Sequence, residues 1–430
     1  MKTRPSPSTP RRGFTIIEMM VGLAVSAIVV AGSITLLINQ QQAYQNTSND
    51  RAGQEAARQA LVAIGDALRR AGYGIHPSVT FDFGTIPRAI VDYVTPAYAA
   101  VTGSNCGTAV SCRDRTDGSD EIAFYARDPN FVRALYAAPT TSQITITGGL
   151  KVPLYQGQVL AVACGGACGK RWAYVTVGQT VPANPTAVST PIPLRAALGA
   201  GFDFPGQNAA LTDVCFGAAV WTDNLPTSFA LASKVFKVDR YRFYVGRFLD
   251  PNSNQMRPYL MLDQGLTDAS GPILSPVAPD VDDLQFSFVF PNAPSSANQL
   301  VGATPGVAIA SGSTGIDLSA VPPTYLDARA NAARATQSPT NIRAVKVSVV
   351  VRSPEADVTL GKALTSTYLP AAGNRPEIPS DPSNPAAFPD PLHWRALFEA
   401  TFDLLNMESR ALYCGDYFDG SNPGVNVGGG

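Results

Sequence analysis

Side chains able to do chemistry are sparse in this sequence. His76 and His393 are its only histidines, and no G-x-S-x-G turn, phosphate-cradling glycine loop with its lysine, or H-E-x-x-H zinc motif accompanies them. Ser311-Gly312-Ser313-Thr314-Gly315 has its glycines at the wrong offset for a nucleophile elbow. The sequence therefore predicts a protein that is not an enzyme, with both histidines structural. Acidic turns at Asp114, Asp117, Asp120 and Glu121, and at Asp280, Asp282 and Asp283, offer the hard oxygens that Ca²⁺ takes outside cells. Neither has the spacing and glycine of an EF-hand loop, and aspartates that turn the chain before a strand account for both. No cofactor is expected, Ca²⁺ being the one candidate. Arg240-Tyr241-Arg242-Phe243-Tyr244 and Arg247-Phe248 interleave bases and aromatics as single-strand nucleic-acid platforms do, but a strand with alternating faces explains the same residues. Nucleic acid is not an expected partner.

The remaining chemical feature is an acid in an apolar setting. Lys2, Arg4, Arg11 and Arg12 precede an apolar run from Phe14 to Ile38, with no further base until Arg51. This run of 25 residues can cross a bilayer as a helix and exceeds the core of an ordinary secretory signal. The charge bias predicts a single pass, with the N-terminus in the cytoplasm and the body outside. Small residues at Ala24-Val25-Ser26-Ala27 lie inside an uninterrupted run, so secretory cleavage is not expected there. Glu18 sits early in this helix, where an acid costs about 2.5–3.5 kcal/mol near the bilayer centre and less towards an end. It needs a partner.

Arg11-Arg12-Gly13-Phe14-Thr15-Ile16-Ile17-Glu18-Met19-Met20 resembles the type III signal of type IV pilins and type II secretion pseudopilins. The resemblance implies that a prepilin peptidase cuts after Gly13 and methylates the new amine on Phe14. It also implies that Glu18 pairs with the terminal ammonium of a pilin subunit during filament assembly, a registry device for subunit addition. Removing residues 1–13 takes away Lys2, Arg4, Arg11 and Arg12, moving the formal charge from −1 to −5. Ala67-Leu68-Arg69-Arg70-Ala71-Gly72-Tyr73-Gly74 looks like the helix end of PilW-type minor pilins. Echoes of that family follow in order at 117–125, 241–245, 281–285 and 344–352. The segment 404–410 only loosely matches the family's closing strand, and the chain is longer than a typical member, so extra loops or an inserted module are implied.

Positioning these residues calls for a long helix and a β-rich body. Beyond Ile38 the chain turns polar with neither Pro nor Gly until Gly53, and Ala57, Leu61, Ile64, Leu68 and Ala71 keep a 4,3,4,3 rhythm. Glu55 with Arg58, and Asp66 with Arg69 and Arg70, supply outward pairs. Gly72-Tyr73-Gly74 caps a helix of about 58 residues, on the order of 87 Å long; two helices broken within 46–51 are the alternative. Leu284, Phe286, Phe288 and Phe290, and Val345, Val347, Val349 and Val351, alternate as half-buried antiparallel strands do. Segments 236–245 and 154–163 add further strands. Stretches 291–341 and 370–391 read as loops or insertions.

Cysteine usage fits an exported body. Six cysteines read as three disulfides, Cys106–Cys112, Cys164–Cys168 and Cys215–Cys414, chosen from fifteen connectivities. A zinc site of the first four is the competing reading, although neither spacing is C-x2-C and no histidine is near. Charged residues are 15% of the chain, and 37 Gly and 35 Pro favour turns over helical bundles. Near-neutral net charge provides no field to hold a polyanion.

The expected fold is α+β. A cleaved leader (1–13) precedes a transmembrane helix half (14–38) and an amphipathic half (39–74), packed on a β-rich antiparallel-sheet head (75–430) in a pilin-like lollipop. The resemblance implies a minor pilin that primes type IV pilus assembly and contributes to a tip complex, at the inner membrane before assembly and on the pilus or cell surface afterwards. Implied partners are the prepilin peptidase, the inner-membrane platform protein, other major and minor pilins, and a tip adhesin. A type II secretion minor pseudopilin and a pilin-anchored extracellular binding or hydrolase module are the alternatives.

Overall fold

In the computed structural model, the residues described are 15–75, 80–83, 99–100, 119–163, 172–195, 233–249, 256–290, 299–307, 309, 341–354, 369–377 and 393–408. The elements are α1 (Ile16–Leu68), β1 (Ala99–Ala100), β2 (Ile122–Ala134), β3 (Gln143–Thr147), β4 (Val159–Ala163), β5 (Trp172–Thr176) and β6 (Ser189–Pro193). There follow β7 (Lys234–Leu249), β8 (Met256–Asp268), β9 (Gly271–Pro279), β10 (Val281–Phe290), β11 (Gln299–Val301), β12 (Ala344–Arg352), β13 (Arg395–Asp403) and a short α2 (Leu405–Glu408). The chain divides into two compact units, Met1–Ala52 and Gly53–Gly430. A long N-terminal apolar helix and a β-rich antiparallel body are thus both present.

Helix α1 is unbroken through 46–51. Its last turn tightens, with Arg70 N donating to Ala67 O and Ala71 N to Leu68 O, and the chain leaves through Gly72 and Gly74 at φ 77° and 63°. Of the rhythm seen in the sequence, Ala57, Ile64, Leu68 and Ala71 are buried and Leu61 is half-buried against the same core, while Ala60, outside the rhythm, is buried beside them. That face enters one core with Phe124, Phe243 and Leu260 on one sheet and Phe286, Val345 and Val347 on another. Each such large apolar side chain contributes about 1.5–3 kcal/mol on burial.

Two helix glycines differ sharply in what surrounds them. A Cβ on Gly65 would lie 2.3 Å from the Phe402 ring, whereas one on Gly53 would make ordinary 3.6 Å contacts with Trp394 and Val351. Gly65→Val should therefore destabilise the body by about 1–3 kcal/mol through overpacking. Gly53→Ala should be neutral or gain up to about 1 kcal/mol of helix propensity. Thermal melting of the two variants beside the parent checks both, and equal melting temperatures would show that Phe402 gives way freely.

Strand β7 is the spine of a seven-stranded antiparallel sheet: β4 and β8 pair along one of its edges, β2 and β1 along the other. The second sheet runs β11-β10-β12-β13, with Phe286 opposite Val347 and Phe288 opposite Val345. β10 and β12 are antiparallel as expected but are not half-buried. Gln285, Ser287, Ser348 and Val350, on the face expected to be wet, are buried too. Loop residues cover that face: Ser287 Oγ donates to Gly302 O at 2.7 Å, and a Cβ on Gly373 would come within 2.9 Å of Gln285 Cβ. Both covering residues fall in the stretches read from the sequence as loops or insertions. The segment after β13 is α2 in place of a closing strand, and Asn406 Nδ2 there donates to Arg69 O at 2.9 Å, capping the end of α1.

A second group of strands stands at one end of the spine. Pairings run from β2 to β7, to β4, to β5, and β3 pairs with β6. Bridges Val177↔Leu194 and Leu135↔Ile146 join β5 to β6 and β3 back to β2, closing a ring of six strands. Its interior is a separate aliphatic core that includes Ile144, Ile146, Leu160, Val162, Val175, Ile192 and Val235. Closure leaves these short strands no open edges. The expected continuous strand 154–163 is interrupted at Gly157 (φ 91°), where a Cβ would strike Gly265 O at 2.1 Å.

Candidate functional site

The residues expected to carry function lie at the start of α1. Gly13 and Phe14 fall outside the described residues. Glu18 and Thr15 form a reciprocal cap: Thr15 N donates to Glu18 Oε2 at 3.0 Å, and Glu18 N donates to Thr15 Oγ1 at 3.2 Å. This is the T-x-x-E capping box, which satisfies two orphan helix donors and sets a carboxylate at the positive end of the helix dipole. The signature is legible as Thr15-Ile16-Ile17-Glu18 before an apolar run, although the resemblance to pilins points only to an intermolecular partner for Glu18.

Downstream of this cap the helix presents apolar side chains on every face: Met19 is 69% exposed and Ile28 72%. Mean hydropathy reaches 2.4 over an eighteen-residue window. A helix apolar all round belongs in a bilayer or among other helices. Its internal hydroxyls are satisfied without water, Ser26 Oγ donating to Gly22 O at 2.7 Å, Ser33 Oγ to Val29 O and Thr35 Oγ1 to Ala31 O.

The other sequence candidates resolve differently. All six cysteines, His76, Asp114 and Asp117 lie outside the described residues. His393 is buried, with Nδ1 2.6 Å from Ser353 O. Asp120 Oδ2 accepts from Phe286 N at 3.0 Å, and Glu121 Oε2 holds Arg242 Nη2 at 2.5 Å. Asp280, Asp282 and Asp283 are gripped by arginines from several strands. Arg257 of β8 forks onto Asp280 at 2.8 and 2.5 Å, Arg395 of β13 reaches Asp282 at 2.6 Å with Arg247 of β7 at 3.5 Å, and Arg375 reaches Asp283 at 2.7 Å. These carboxylates tie the two sheets together. Among the described residues, no three Asp, Glu, His or Cys side chains gather as a metal would need. Arg240 and Arg242 of the base–aromatic strand are buried beside Asp263, so they are not displayed to a nucleic acid.

Comparison with known proteins gives a matching result for the N-terminus. Residues 9–34 match the family model described as the prokaryotic N-terminal methylation motif. No curated protein matches the chain. Among solved structures, a type IV-like pilin from Thermus thermophilus is similar over 40% of this chain and 69% of its own, at 11% identity and a TM-score of 0.17. The chain therefore carries the type IV pilin signal, followed by an exposed apolar helix and a β-rich antiparallel body. The motif is a type IV pilin-type signal, and the apolar helix that follows it fits membrane anchoring.

Proposed function

We propose that the protein is a PilW-type minor pilin, a non-enzymatic subunit that primes type IV pilus assembly and contributes to a complex at the pilus tip. The observation that carries this reading is the methylation motif over 9–34 running directly into a helix whose apolar surface is exposed all round. In this reading the chain is anchored with its N-terminus in the cytoplasm, cut after Gly13 and methylated on Phe14. It then leaves the membrane as its helix joins a bundle of other pilin helices, where apolar packing holds it. The body contributes surface, no reaction and no bound cofactor, and its inserted ring of strands enlarges that surface beyond a minimal head.

Deleting the protein from a piliated host, with surface pili counted by electron microscopy and type II export measured in the same cells, tests the reading. Few or no pili with normal export is the expected result. Normal pili with blocked export would make it a pseudopilin, and no change in either would overturn the assembly role.

A further inference from the structure

Sheet edges are where a β-rich body is open to other chains, because an unpaired strand carries a row of free N–H and C=O groups. Most edges here are blunted. β9 carries Pro272, Pro276 and Pro279 and twice loses register with β8, β11 is three residues long, and the ring of six strands is closed. β13 differs from all of these. Its nine residues pair with β12 in unbroken register, include neither proline nor glycine, and have no strand on their other side among the described residues.

The ladder fixes which groups that edge offers. Ser353 N donates to Trp394 O at 2.8 Å and Leu404 N to Arg343 O at 2.7 Å, at the two ends of a register that runs without a bulge. Opposed residues of an antiparallel pair alternate between bonded and non-bonded, so Ala396, Phe398, Ala400 and Phe402 bond to β12. The N–H and C=O groups of Leu397, Glu399, Thr401 and Asp403 therefore point to the open side. Side chains alternate as well. Phe398 and Phe402 pack on the core that α1 enters, yet both stay half-buried, as does Leu61 of the helix, and Val62 beside it is 55% exposed. The opposite face is acidic: Glu399 and Asp403 are exposed, and Glu399 draws Lys346 of β12 to 2.9 Å.

We propose that β13 is a strand-addition site, taking an extended segment of another protein chain in which apolar residues alternate with lysine or arginine. Main-chain hydrogen bonds to Leu397, Glu399, Thr401 and Asp403 hold the segment, its apolar side chains cover Phe398, Phe402 and Leu61, and its basic ones meet Glu399 and Asp403. A second copy of β13 fits poorly. Edge to edge, two such strands would set Glu399 and Asp403 of both chains on one face, with only Arg395, already held by Asp282 at 2.6 Å, to offset them. The site uses no residue of the apolar start of α1, and the proposal does not rest on the pilus reading.

The test is fluorescence anisotropy of the full chain in detergent, the probe being a labelled peptide of β13's own nine-residue length that alternates lysine and valine. That peptide should bind. Forms carrying glutamate in place of lysine, or N-methyl groups on alternate backbone nitrogens, should each bind at least about tenfold more weakly. Thr401→Pro removes an outward N–H and leaves the bonds to β12 in place, as proline on an edge strand does. It should weaken binding by at least about tenfold, while Thr401→Ala keeps the parental affinity. Asp403→Lys should narrow the preference for the lysine peptide over the glutamate one by about fivefold, which keeps the test decisive if thermal melting shows that Thr401→Pro fails to fold. No binding by the parent chain, equal binding of the N-methylated peptide, parental affinity in a folded Thr401→Pro or an unchanged preference in Asp403→Lys would each overturn the proposal. A dimer in light scattering that Thr401→Pro abolishes would assign the edge to a second copy and overturn it likewise.

Discussion

Replacing Arg375 with methionine should cost about 3–5 kcal/mol of stability at neutral pH, one of the largest effects of any single change in the body. Arg375 is fully buried in a proline-rich stretch, and each part of its guanidinium is engaged: Nε with Asp283 at 2.7 Å, Nη2 with Pro370 O at 2.7 Å and Nη1 with Pro376 O at 3.0 Å. Methionine fills similar volume but leaves Asp283, 1% exposed, with no cation. Burial pushes the Asp283 carboxyl above its ordinary value of 3.8, and Arg375 pulls it down without cancelling the rise. A carboxyl with a raised folded pKa contributes stability that is fully present below its unfolded pKa and is lost as pH rises through the folded one. Removing the arginine raises it further. The penalty in Arg375→Met should therefore shrink as pH falls from 7 towards 4, where the orphaned acid takes up a proton. Adding Asp283→Asn should recover most of the loss at pH 7. Urea unfolding at the two pH values decides the matter: a penalty independent of pH, unrelieved by the second substitution, would mean that lost packing and not a stranded charge destabilises the variant.

Arg375 also marks where sequence reading gives out. The packed face of α1 is legible because Ala57, Ile64, Leu68 and Ala71 obey a local period, and β10 and β12 are legible because Leu284 to Phe290 and Val345 to Val351 alternate. The end of the helix is announced by Gly72 and Gly74, whose positive φ only glycine adopts without strain. What stays hidden depends on partners far apart in sequence. Nothing near Arg375 announces Asp283, ninety-two positions earlier. Gly65 reads as a weak helix residue until Phe402 of β13 is seen against it. The ring of strands escapes because it closes through two isolated bridges between five-residue strands and the ends of their neighbours, too short for alternation to stand out. At Asp280, Asp282 and Asp283 the sequence shows the carboxylates and not the arginines, distant in the chain, that grip them. At the candidate site the order is reversed: Glu18 is singled out by the sequence, and the structure supplies its local partner, Thr15.

Glu18→Ala should leave cleavage after Gly13 intact while lowering incorporation into sheared pili by at least about tenfold, since a charge lost from an apolar helix bundle removes the pairing that offsets its partner's burial. The capping box complicates that experiment, because alanine also deletes a local interaction contributing about 1 kcal/mol to the start of α1. Two further variants separate the roles. Glu18→Gln keeps an acceptor for Thr15 N, as glutamine serves in a capping box, but carries no charge; it should fail to assemble as alanine does. Thr15→Ala breaks the reciprocal bond and keeps the carboxylate; it should assemble near the parental level, with only the first turn of the helix loosened. Pilus fractions probed for the protein, with cleavage followed by gel mobility, give the answer. Efficient assembly of Glu18→Gln together with failure of Thr15→Ala would invert the assignment: the glutamate would then act by holding its own helix end in shape, and the partner required by its place in the apolar run would be Thr15 alone.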